Sequence, residues 1–470
     1  MKSVSKIFGM FIVAVLLVLF AATHPGYFSN VTLMGGILLL ETVLAAVWLY
    51  ERWFFQILVL IFLWAGTTLP MANAASAGRW VFLGVGGFVG VVKWGGLGKK
   101  QRFLPIHLMA SLCVLAALVS SMVSSRMQLS LLKSSSLFLL FLYGFSGVRV
   151  AVAGQEDRFF RGLVTACEVL TFFSGLCYIV FDFAVFGNPN SLGAIMAVAI
   201  LPILTWSVMV TDERHVLHRR MVALCLAGYL LVSSVSRAGL LACAVTLAVM
   251  CFALRRGKLL LKGALVLVFL TTALGVIQPS GFNSLASSFT EQLLYKGKVE
   301  KGLLGSRKSP WQESIAVIKD SPWFGNGFGT DRIAVQISPD SAFRTIGSNS
   351  REHGSSYIAL LEYVGLLGAV PFVILLLFLS FQIFRTCLWM RRTGNPQNYA
   401  IPLAMLCLAG LLHAAFEDWL FAAGYYLTLV FWVSAFLLSD FQPRAEASVP
   451  DSHMLKISPR AVVVPLFASK

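Results

Sequence analysis

Long apolar runs constrain the fold of this chain more than any other feature of its sequence. They recur along most of its length, and each spans roughly 17–25 residues, enough for a helix to cross a hydrocarbon core of about 30 Å. Backbone N–H and C=O groups in lipid must be satisfied internally, which favours helices. The chain is 58% hydrophobic and 12% charged, whereas soluble proteins average about 45–50% and about 25%. The sequence therefore predicts an all-α polytopic membrane protein.

The apolar runs can be divided into about 12–14 membrane-spanning helices. The candidate segments lie at roughly residues 7–22, 31–50, 53–70, 80–98, 104–123, 129–149, 160–186, 190–210, 220–236, 238–254, 259–277, 356–386, 400–416 and 419–438. The first segment follows Lys2 and Lys6 and resembles a signal peptide. An uncleaved helix is the preferred interpretation because it keeps the parity of the later segments.

The loops between these segments alternate between two sets that differ strongly in charge. The basic set contains Lys2, Lys6, Arg52, Lys99, Lys100, Arg102, Arg149, Arg158, Arg161, Arg214, Arg219, Arg220, Arg255, Arg256, Lys258, Lys262, Arg385, Arg391 and Arg392. The other set is nearly free of Lys and Arg and includes residues 71–79, 124–128, 187–190, 236–237 and 416–419. By the positive-inside rule, the basic set and both termini are cytoplasmic. Most of the net charge of +16 is then explained by the orientation of the chain in the membrane, and no nucleic-acid partner is expected.

One long polar stretch interrupts the apolar pattern and divides the chain into four regions. Residues 1–277 would form a transmembrane bundle, and residues 278–355 an outer loop that contributes to catalysis. Residues 356–440 would form the C-terminal transmembrane helices, and residues 441–470 a cytoplasmic tail.

Within the outer loop, a short amphipathic helix is predicted to begin at Ser309, with Pro310 at its first helical position. Its apolar face consists of residues at helical spacing, namely Trp311, Ile315 and Ile318. We expect this helix to lie on the membrane surface or on the helix bundle.

A glycine cluster follows this helix, at Gly325, Gly327 and Gly329. The spacing is not that of a dinucleotide-binding fingerprint, and no Lys-Ser/Thr pair follows it, so we reject nucleotide binding. The glycines instead favour tight turns or a close approach of the backbone to a ligand. Gly327 is accordingly a candidate substrate-binding residue.

Two arginines are candidates for anion binding. Arg237 lies between two apolar runs, where a cation is costly unless it is paired or faces water. Its guanidinium fork matches phosphate geometry; the alternative is an arginine that snorkels to lipid headgroups. Arg307 precedes the amphipathic helix, whose N-terminus favours anions; the alternative is a solvated loop arginine.

His353 and Glu417 are candidates on the same outer side. A neutral His353 has the properties of a general base, although a structural hydrogen bond at a helix start is the alternative. No residues at metal-ligand spacing surround it, so no metal and no cofactor is expected. Glu417 and Asp418 occupy a short outer turn, where they could bind sugar hydroxyls, pair with an arginine, or be solvated. Glu168 lies deep in an apolar run, as does Glu41.

Several short motifs occur in a fixed order around the outer loop. They are Asn188-Pro189-Asn190-Ser191-Leu192-Gly193, Ser236-Arg237-Ala238-Gly239, Gly305-Ser306-Arg307 with Trp311, Ser321-Pro322-Trp323-Phe324-Gly325-Asn326-Gly327-Phe328-Gly329, and His353-Gly354-Ser355-Ser356-Tyr357 continuing to Gly368. Together they resemble the O-antigen ligase/polymerase superfamily of bacterial membrane glycosyltransferases, over about residues 185–375. One departure is Gly354, since the family usually has Asn after the histidine.

The resemblance implies a GT-C-like membrane glycosyltransferase with its active site on the periplasmic face of the inner membrane. Its donor would be a glycan on undecaprenyl diphosphate, and its acceptor a sugar hydroxyl on a lipid-linked glycan or lipid A core. Transfer would be metal-independent and inverting. Arg237 and Arg307 would hold the diphosphate, and His353 would deprotonate or orient the acceptor. Asn190, Gly327 and Glu417 complete the expected substrate contacts.

Within this chemistry, a polymerase of O-antigen or exopolysaccharide is favoured over a ligase. The preference rests on the segment from Leu412 to Gly424, which resembles such polymerases. Membrane lipids are expected partners, and a chain-length regulator protein is a further candidate. A transporter of lipid-linked glycans is disfavoured because the suggestive residues gather on one side and no internal repeat is visible. A structural or receptor-like protein is the third alternative.

Overall fold

The computed structural model describes residues 53–67, 72–96, 102–181, 185–186, 188–258, 305–331 and 353–443. Within these ranges the regular structure is helical and contains no β-strand. The helices are α1 (Phe54–Ala65), α2 (Ala72–Gly96), α3 (Pro105–Met122), α4 (Met127–Val152), α5 (Glu156–Val180), α6 (Pro189–Met209), α7 (Arg214–Ser233), α8 (Arg237–Ala253), α9 (Gly305–Asp320), α10 (Ser356–Thr393), α11 (Ala400–Ala414) and α12 (Tyr426–Phe441).

The length and composition of these helices confirm the all-α polytopic class. Among the described residues, 7 helices are long and apolar enough to cross a membrane, and α1, α8, α11 and α12 are shorter apolar helices. Several predictions fall outside the described residues, namely the segments 7–22, 31–50 and 259–277, most of the tail 441–470, much of the outer loop, and Glu41.

The last helix begins later than the apolar pattern predicts. We expected a helix from about residue 419, but α12 begins at Tyr426. The chain between α11 and α12 is the 415–425 segment, and within it the carbonyls of Trp419 and Leu420 accept hydrogen bonds from side chains of α12. The indole Nε1–H of Trp432 donates to the Leu420 carbonyl over 2.8 Å. The Thr428 hydroxyl donates to the Trp419 carbonyl. The Trp419 and Leu420 side chains are buried, so apolarity there reflects packing and not a helix.

Helix α9 also differs from its prediction at its start and on its buried face. It begins at Gly305 rather than Ser309, and Pro310 lies inside it, in the second turn, where proline removes one helical hydrogen bond. Val317 and Ser314 are buried, whereas Ile315 is 45% exposed. The helix turns Ser314 and Val317 toward the bundle, so the predicted face is directed away from the bundle at Ile315.

A break in α10 fixes the position of the glycine cluster. At Gly365 the backbone leaves the helical region, with φ 66° and ψ −175°. The residues from Ser321 to Asp331, here called the glycine loop, use this break for backbone pairing. The N–H groups of Asn326 and Gly327 donate to the carbonyls of Glu362 and Tyr363, and those of Leu366 and Leu367 donate to the carbonyls of Pro322 and Trp323, at 2.8–3.1 Å.

The close pairing depends on glycine on both sides. A Cβ on Gly325 would lie 2.4 Å from the Tyr363 carbonyl oxygen, and a Cβ on Gly365 would lie 2.4 Å from the Trp323 carbonyl carbon. The start of α4 holds the other side of the loop, since the Ser130 hydroxyl donates to the Phe328 carbonyl over 3.0 Å. The glycine loop is thereby held between α10 and the start of α4.

The basic residues between helices meet at the opposite end of the bundle. Helices α4 and α10 begin at the glycine loop, and their last turns carry Arg149 and Arg391. Arg149 makes two bonds to the Asp440 carboxylate, at 2.5 and 2.6 Å. Arg255 donates to the Arg391 carbonyl over 2.9 Å.

Glu168, which the sequence placed deep in an apolar run, belongs to this basic end as well. Its buried carboxylate lies 3.0 Å from Nη2 of Arg219 and 3.6 Å from Nε of Arg220. The negative charge of Glu168 is thus compensated by arginines of α7. This pairing favours a structural role for the acid over a role in transport.

Candidate functional site

His353 lies between two carboxylates just before the start of α10. Its Nδ1 is 2.7 Å from Oδ2 of Asp418, and its backbone N–H donates to the same oxygen over 3.1 Å. On the other side of the ring, Nε2 lies 3.5 Å from Oε2 of Glu362. The side chains of His353 and Glu362 are 1% and 0% exposed. Both ring nitrogens therefore face a negative group inside the protein.

This environment changes the proton affinity of the imidazole. Burial lowers the pKa of His353, but its hydrogen bonds and charge interactions with Asp418 and Glu362 outweigh burial and raise the pKa to about 9. The resting histidine is consequently an imidazolium near neutral pH, and the two carboxylates stabilise that charge.

Arg307 is held by the residue next to Asp418. Its Nη2 pairs with Oε1 of Glu417, and the Arg307 residue is 8% exposed. Arg307 is thus a buried, paired arginine and not the solvated loop residue of the alternative interpretation. Of the roles considered for Glu417, the structure shows the pairing with an arginine.

Gly354 allows Arg307 to lie directly against the chain after His353. Its φ is +71°, and a Cβ there would lie 3.1 Å from Cδ of Arg307 and 3.3 Å from Nε1 of Trp311. A side chain at this position would push on both groups. The departure from the family pattern therefore has a packing reason in this chain.

The start of α10 is joined to the 415–425 segment by Ser356. Its N–H and its hydroxyl both donate to the Glu417 carbonyl, at 3.1 and 2.7 Å. The hydroxyl also accepts the Leu420 N–H over 3.0 Å. The two chain segments that carry His353 and Asp418 are held in one register by these bonds.

Arg237 approaches the same region from α8. The Ser236 side chain caps this helix by accepting the Gly239 N–H, so Arg237 occupies its first turn. The positive charge of Arg307 acts on Arg237, which places the two guanidinium groups within electrostatic reach. Two cations from separate parts of the sequence thus lie at the same end of the bundle, and the Glu417 carboxylate pairs with one of them, Arg307.

Asn190 lies at the start of α6, next to the α8 start. The Asn188 side chain caps α6 by accepting the Asn190 N–H over 2.9 Å. Gly193 and Gly239 let the two helices approach, since a Cβ on Gly239 would lie 3.2 Å from the Gly193 carbonyl. The neighbouring Ser191 carbonyl accepts the Tyr426 hydroxyl over 2.7 Å, so Asn190 borders the same end of the bundle.

Gly327 has a different position from the other predicted residues. Its N–H donates to the Tyr363 carbonyl over 3.1 Å, and a Cβ there would lie 2.2 Å from Oγ of Ser124. These contacts hold the glycine loop against the bundle and are not contacts to Arg307 or His353.

Sequence reasoning gave no role to Glu362 and no partner to Asp418. Glu362 lies within the motif that runs from His353 to Gly368, and an acid inside an apolar helix is itself a functional signal. Asp418 was visible only as half of an acidic turn, 65 residues from the histidine it binds. In the described part of the chain, no group of three or more His, Cys, Asp or Glu side chains is placed to hold a metal ion.

Comparison with known families agrees with the motifs. The model of the O-antigen ligase family (Wzy_C) matches residues 222–373. This range contains Arg237, Arg307, His353 and Glu362, whereas Glu417 and Asp418 lie beyond its end. A comparison with curated protein sequences finds no match. Residues 222–373 are therefore similar to the O-antigen ligase family, which agrees with the superfamily that the motifs indicate. The long apolar helices agree with a multi-pass membrane protein.

Proposed function

We propose that the chain transfers a glycan from undecaprenyl diphosphate to an acceptor sugar hydroxyl at the site formed by His353, Arg307 and Arg237. One observation carries the proposal: the adjacent residues Glu417 and Asp418 hold Arg307 and His353, respectively. A group that stabilises a leaving diphosphate and a group that receives a proton are thereby joined through a single short segment.

The arginines serve the donor side of the reaction. As the bond between the anomeric carbon and the diphosphate oxygen breaks, its electron pair leaves with the diphosphate. Arg237 and Arg307 stabilise that negative charge with guanidinium groups that are already oriented. The Glu417 carboxylate holds Arg307 in place before the donor binds. This arrangement supplies the charge stabilisation that many soluble transferases obtain from a metal ion, so the proposed transfer is metal-independent.

His353 serves the acceptor side. The acceptor hydroxyl attacks the anomeric carbon from the face opposite the diphosphate, which inverts the configuration. Neutral His353 takes the hydroxyl proton at Nε2, the nitrogen that faces Glu362. Asp418 keeps the proton on Nδ1, and both carboxylates stabilise the imidazolium that forms. One C–O bond forms, one breaks, and the proton remains on the enzyme.

A polymerase of O-antigen or exopolysaccharide is the favoured form of this activity. The segment from Leu412 to Gly424 supports it, and this segment contributes both Glu417 and Asp418 to the site. A ligase that uses lipid A core as acceptor would employ the same groups. We further propose a periplasmic site in the inner membrane with cytoplasmic termini, because the basic loops meet at the end of the bundle away from His353. Asn190 would contact the glycan from the start of α6.

The test is a reconstituted transfer reaction. The full chain is placed in lipid nanodiscs with undecaprenyl-diphosphate-linked repeat units, without nucleotide sugar and with a chelator. Lengthened lipid-linked chains support a polymerase, and product formed only on lipid A core supports a ligase. The variants His353→Gln and Arg307→Gln should each abolish product.

His215→Gln is the matched control, since His215 is an exposed histidine in α7 at the opposite end of the bundle. It should retain wild-type activity. Full activity of both His353→Gln and Arg307→Gln would overturn the proposed site.

A further inference from the structure

Arg79 of α2 is fixed at the end of the bundle that carries His353, and the described residues that contact it bring no carboxylate. Its Nη1 donates to the Gly424 carbonyl over 2.7 Å. Its Cζ lies 5.1 Å from the centre of the Trp80 ring and 5.8 Å from that of Phe62. A carbonyl and two aromatic faces orient the guanidinium without supplying a full negative charge.

Lys133 of α4 brings a second positive charge to this place. Helices α2 and α4 run side by side, since a Cβ on Gly84 would lie 3.9 Å from Leu139 and a Cβ on Gly87 3.2 Å from Leu142. This register places Arg79 close to the level of Lys133, and the charge of Arg79 acts on the lysine. The glycine loop packs over the lysine stem, because a Cβ on Gly329 would lie 3.1 Å from Cβ and Cγ of Lys133. The lysine is half-buried beneath that loop.

The pair differs from three other buried or half-buried arginines in the described part of the chain. Arg149 pairs with Asp440, Arg307 with Glu417 and Arg220 with Glu168. In the same described part, no carboxylate forms an ion pair with Arg79 or Lys133. Two repelling cations on membrane helices are costly, and such groups are functional candidates by default. A bound anion would offset both the repulsion and the burial.

The pair lies close to the proposed active site without being part of it. Gly424, which binds Arg79, belongs to the 415–425 segment that holds Arg307 and His353. Gly329, which covers Lys133, belongs to the glycine loop that pairs with Glu362 and Tyr363. An anion at Arg79 and Lys133 would therefore sit at the same end of the helix bundle as the donor diphosphate, on separate residues.

We infer that Arg79 and Lys133 form a second phosphate-binding site, which takes a phosphate or diphosphate group carried by a lipid. Arginine supplies a planar fork and lysine a mobile point charge, a combination suited to phosphate oxygens. The occupant is the diphosphate of a second lipid-linked chain or the headgroup of an anionic phospholipid. The first of these rests on the proposed function, since an acceptor still attached to its carrier brings its own diphosphate.

Binding stoichiometry tests this inference. The detergent-solubilised full chain is titrated with farnesyl diphosphate and its bound equivalents are counted by native mass spectrometry. Wild-type protein should bind two equivalents, Lys133→Gln one, and Lys133→Arg two. Lys319→Gln, which removes an exposed lysine of α9, should bind two. The one equivalent that Lys133→Gln retains shows that this variant is folded, and adding Arg307→Gln should remove that equivalent.

Two competitors identify the source of the phosphate. Displacement of the Lys133-dependent equivalent by phosphatidylglycerol assigns the site to bilayer headgroups. If phosphatidylglycerol does not displace farnesyl diphosphate but inorganic diphosphate does, the site is assigned to a lipid diphosphate. Either result supports a lipid-phosphate site.

Two equivalents bound to Lys133→Gln would overturn the inference. The inference would also be overturned if wild-type protein bound a single equivalent of farnesyl diphosphate that Arg307→Gln loses and Lys133→Gln keeps. That result would leave the proposed donor site intact. Conversely, if Lys133→Gln loses one equivalent while Arg307→Gln leaves the number of bound equivalents unchanged, that result supports this site and contradicts the donor site.

Discussion

Nδ1 of His353 lies 2.7 Å from Oδ2 of Asp418, across 65 residues of sequence. This contact decides which nitrogen of the imidazole can react, because the carboxylate holds a proton on Nδ1 and leaves Nε2 for chemistry. It also joins the start of α10 to the 415–425 segment. The site therefore depends on both ends of the α10–α11 helix pair.

The pH dependence of glycan transfer follows from this environment. His353 can accept a proton only when neutral, and its pKa is raised to about 9. At pH 7 roughly one molecule in a hundred carries the neutral form, and this share rises about tenfold per pH unit up to about pH 9. Initial rates at saturating donor should increase accordingly and level off above pH 9. A rate that falls between pH 7 and 9 would contradict a general-base role.

Asp418→Asn should lower activity and move the pH profile. Removing the carboxylate removes a hydrogen bond and a charge that raise the pKa of His353, so the profile should level off at a lower pH. We expect a loss of about 10²-fold in kcat, the scale of a misplaced general base. Asp320→Asn, at the exposed end of α9, is the control. An unshifted profile would show that Asp418 does not act through His353.

Protein stability should also depend on pH through His353. The folded-state pKa is raised from 6.5 to about 9, so the folded protein binds the proton more tightly than the unfolded chain. The contribution, on the order of 3 kcal/mol, is fully present below about pH 6.5 and is lost as pH rises through about 9. Thermal unfolding in detergent between pH 6 and 10 measures it. His353→Gln should flatten that part of the curve.

Glu417→Gln should destabilise the protein through Arg307. The arginine side chain is 10% exposed and would lose the carboxylate that compensates it, at a cost of about 3 kcal/mol. A double-mutant cycle with Arg307→Gln isolates the pair, and the two effects should not add. Glu313→Gln, which alters an exposed acid of α9, should leave the unfolding temperature unchanged. Additive effects of the two variants would contradict a direct pair.

Gly365→Ala should disrupt the junction between the glycine loop and α10. The new Cβ would lie 2.4 Å from the Trp323 carbonyl carbon, at a φ of +66°. We expect a loss of several kcal/mol from clash and strain, about 3 kcal/mol or more. Gly228→Ala is the matched control, because a Cβ there meets nothing within 4 Å. This control should be neutral or stabilise by about 0.5–1 kcal/mol.

The sequence was most informative where one physical requirement acts on many residues. Long apolar runs must become helices in lipid, and the described residues contain helices at the corresponding predicted segments. The prediction that a helix begins at residue 419 was wrong, because an apolar run indicates burial and does not determine the backbone conformation. Trp419 and Leu420 are buried in a segment that is not helical.

By itself, then, the sequence determined the all-α membrane fold, the grouping of basic loops and the similarity to the O-antigen ligase family over the region that contains Arg237, Arg307 and His353. Only the tertiary structure decided that Glu417 pairs with Arg307, that Asp418 and Glu362 enclose His353, and that Gly327 supports the loop. The reason is that membrane insertion acts on local composition, which is readable along the chain. Partners of buried charges are chosen by packing between distant segments, and no local pattern encodes that choice.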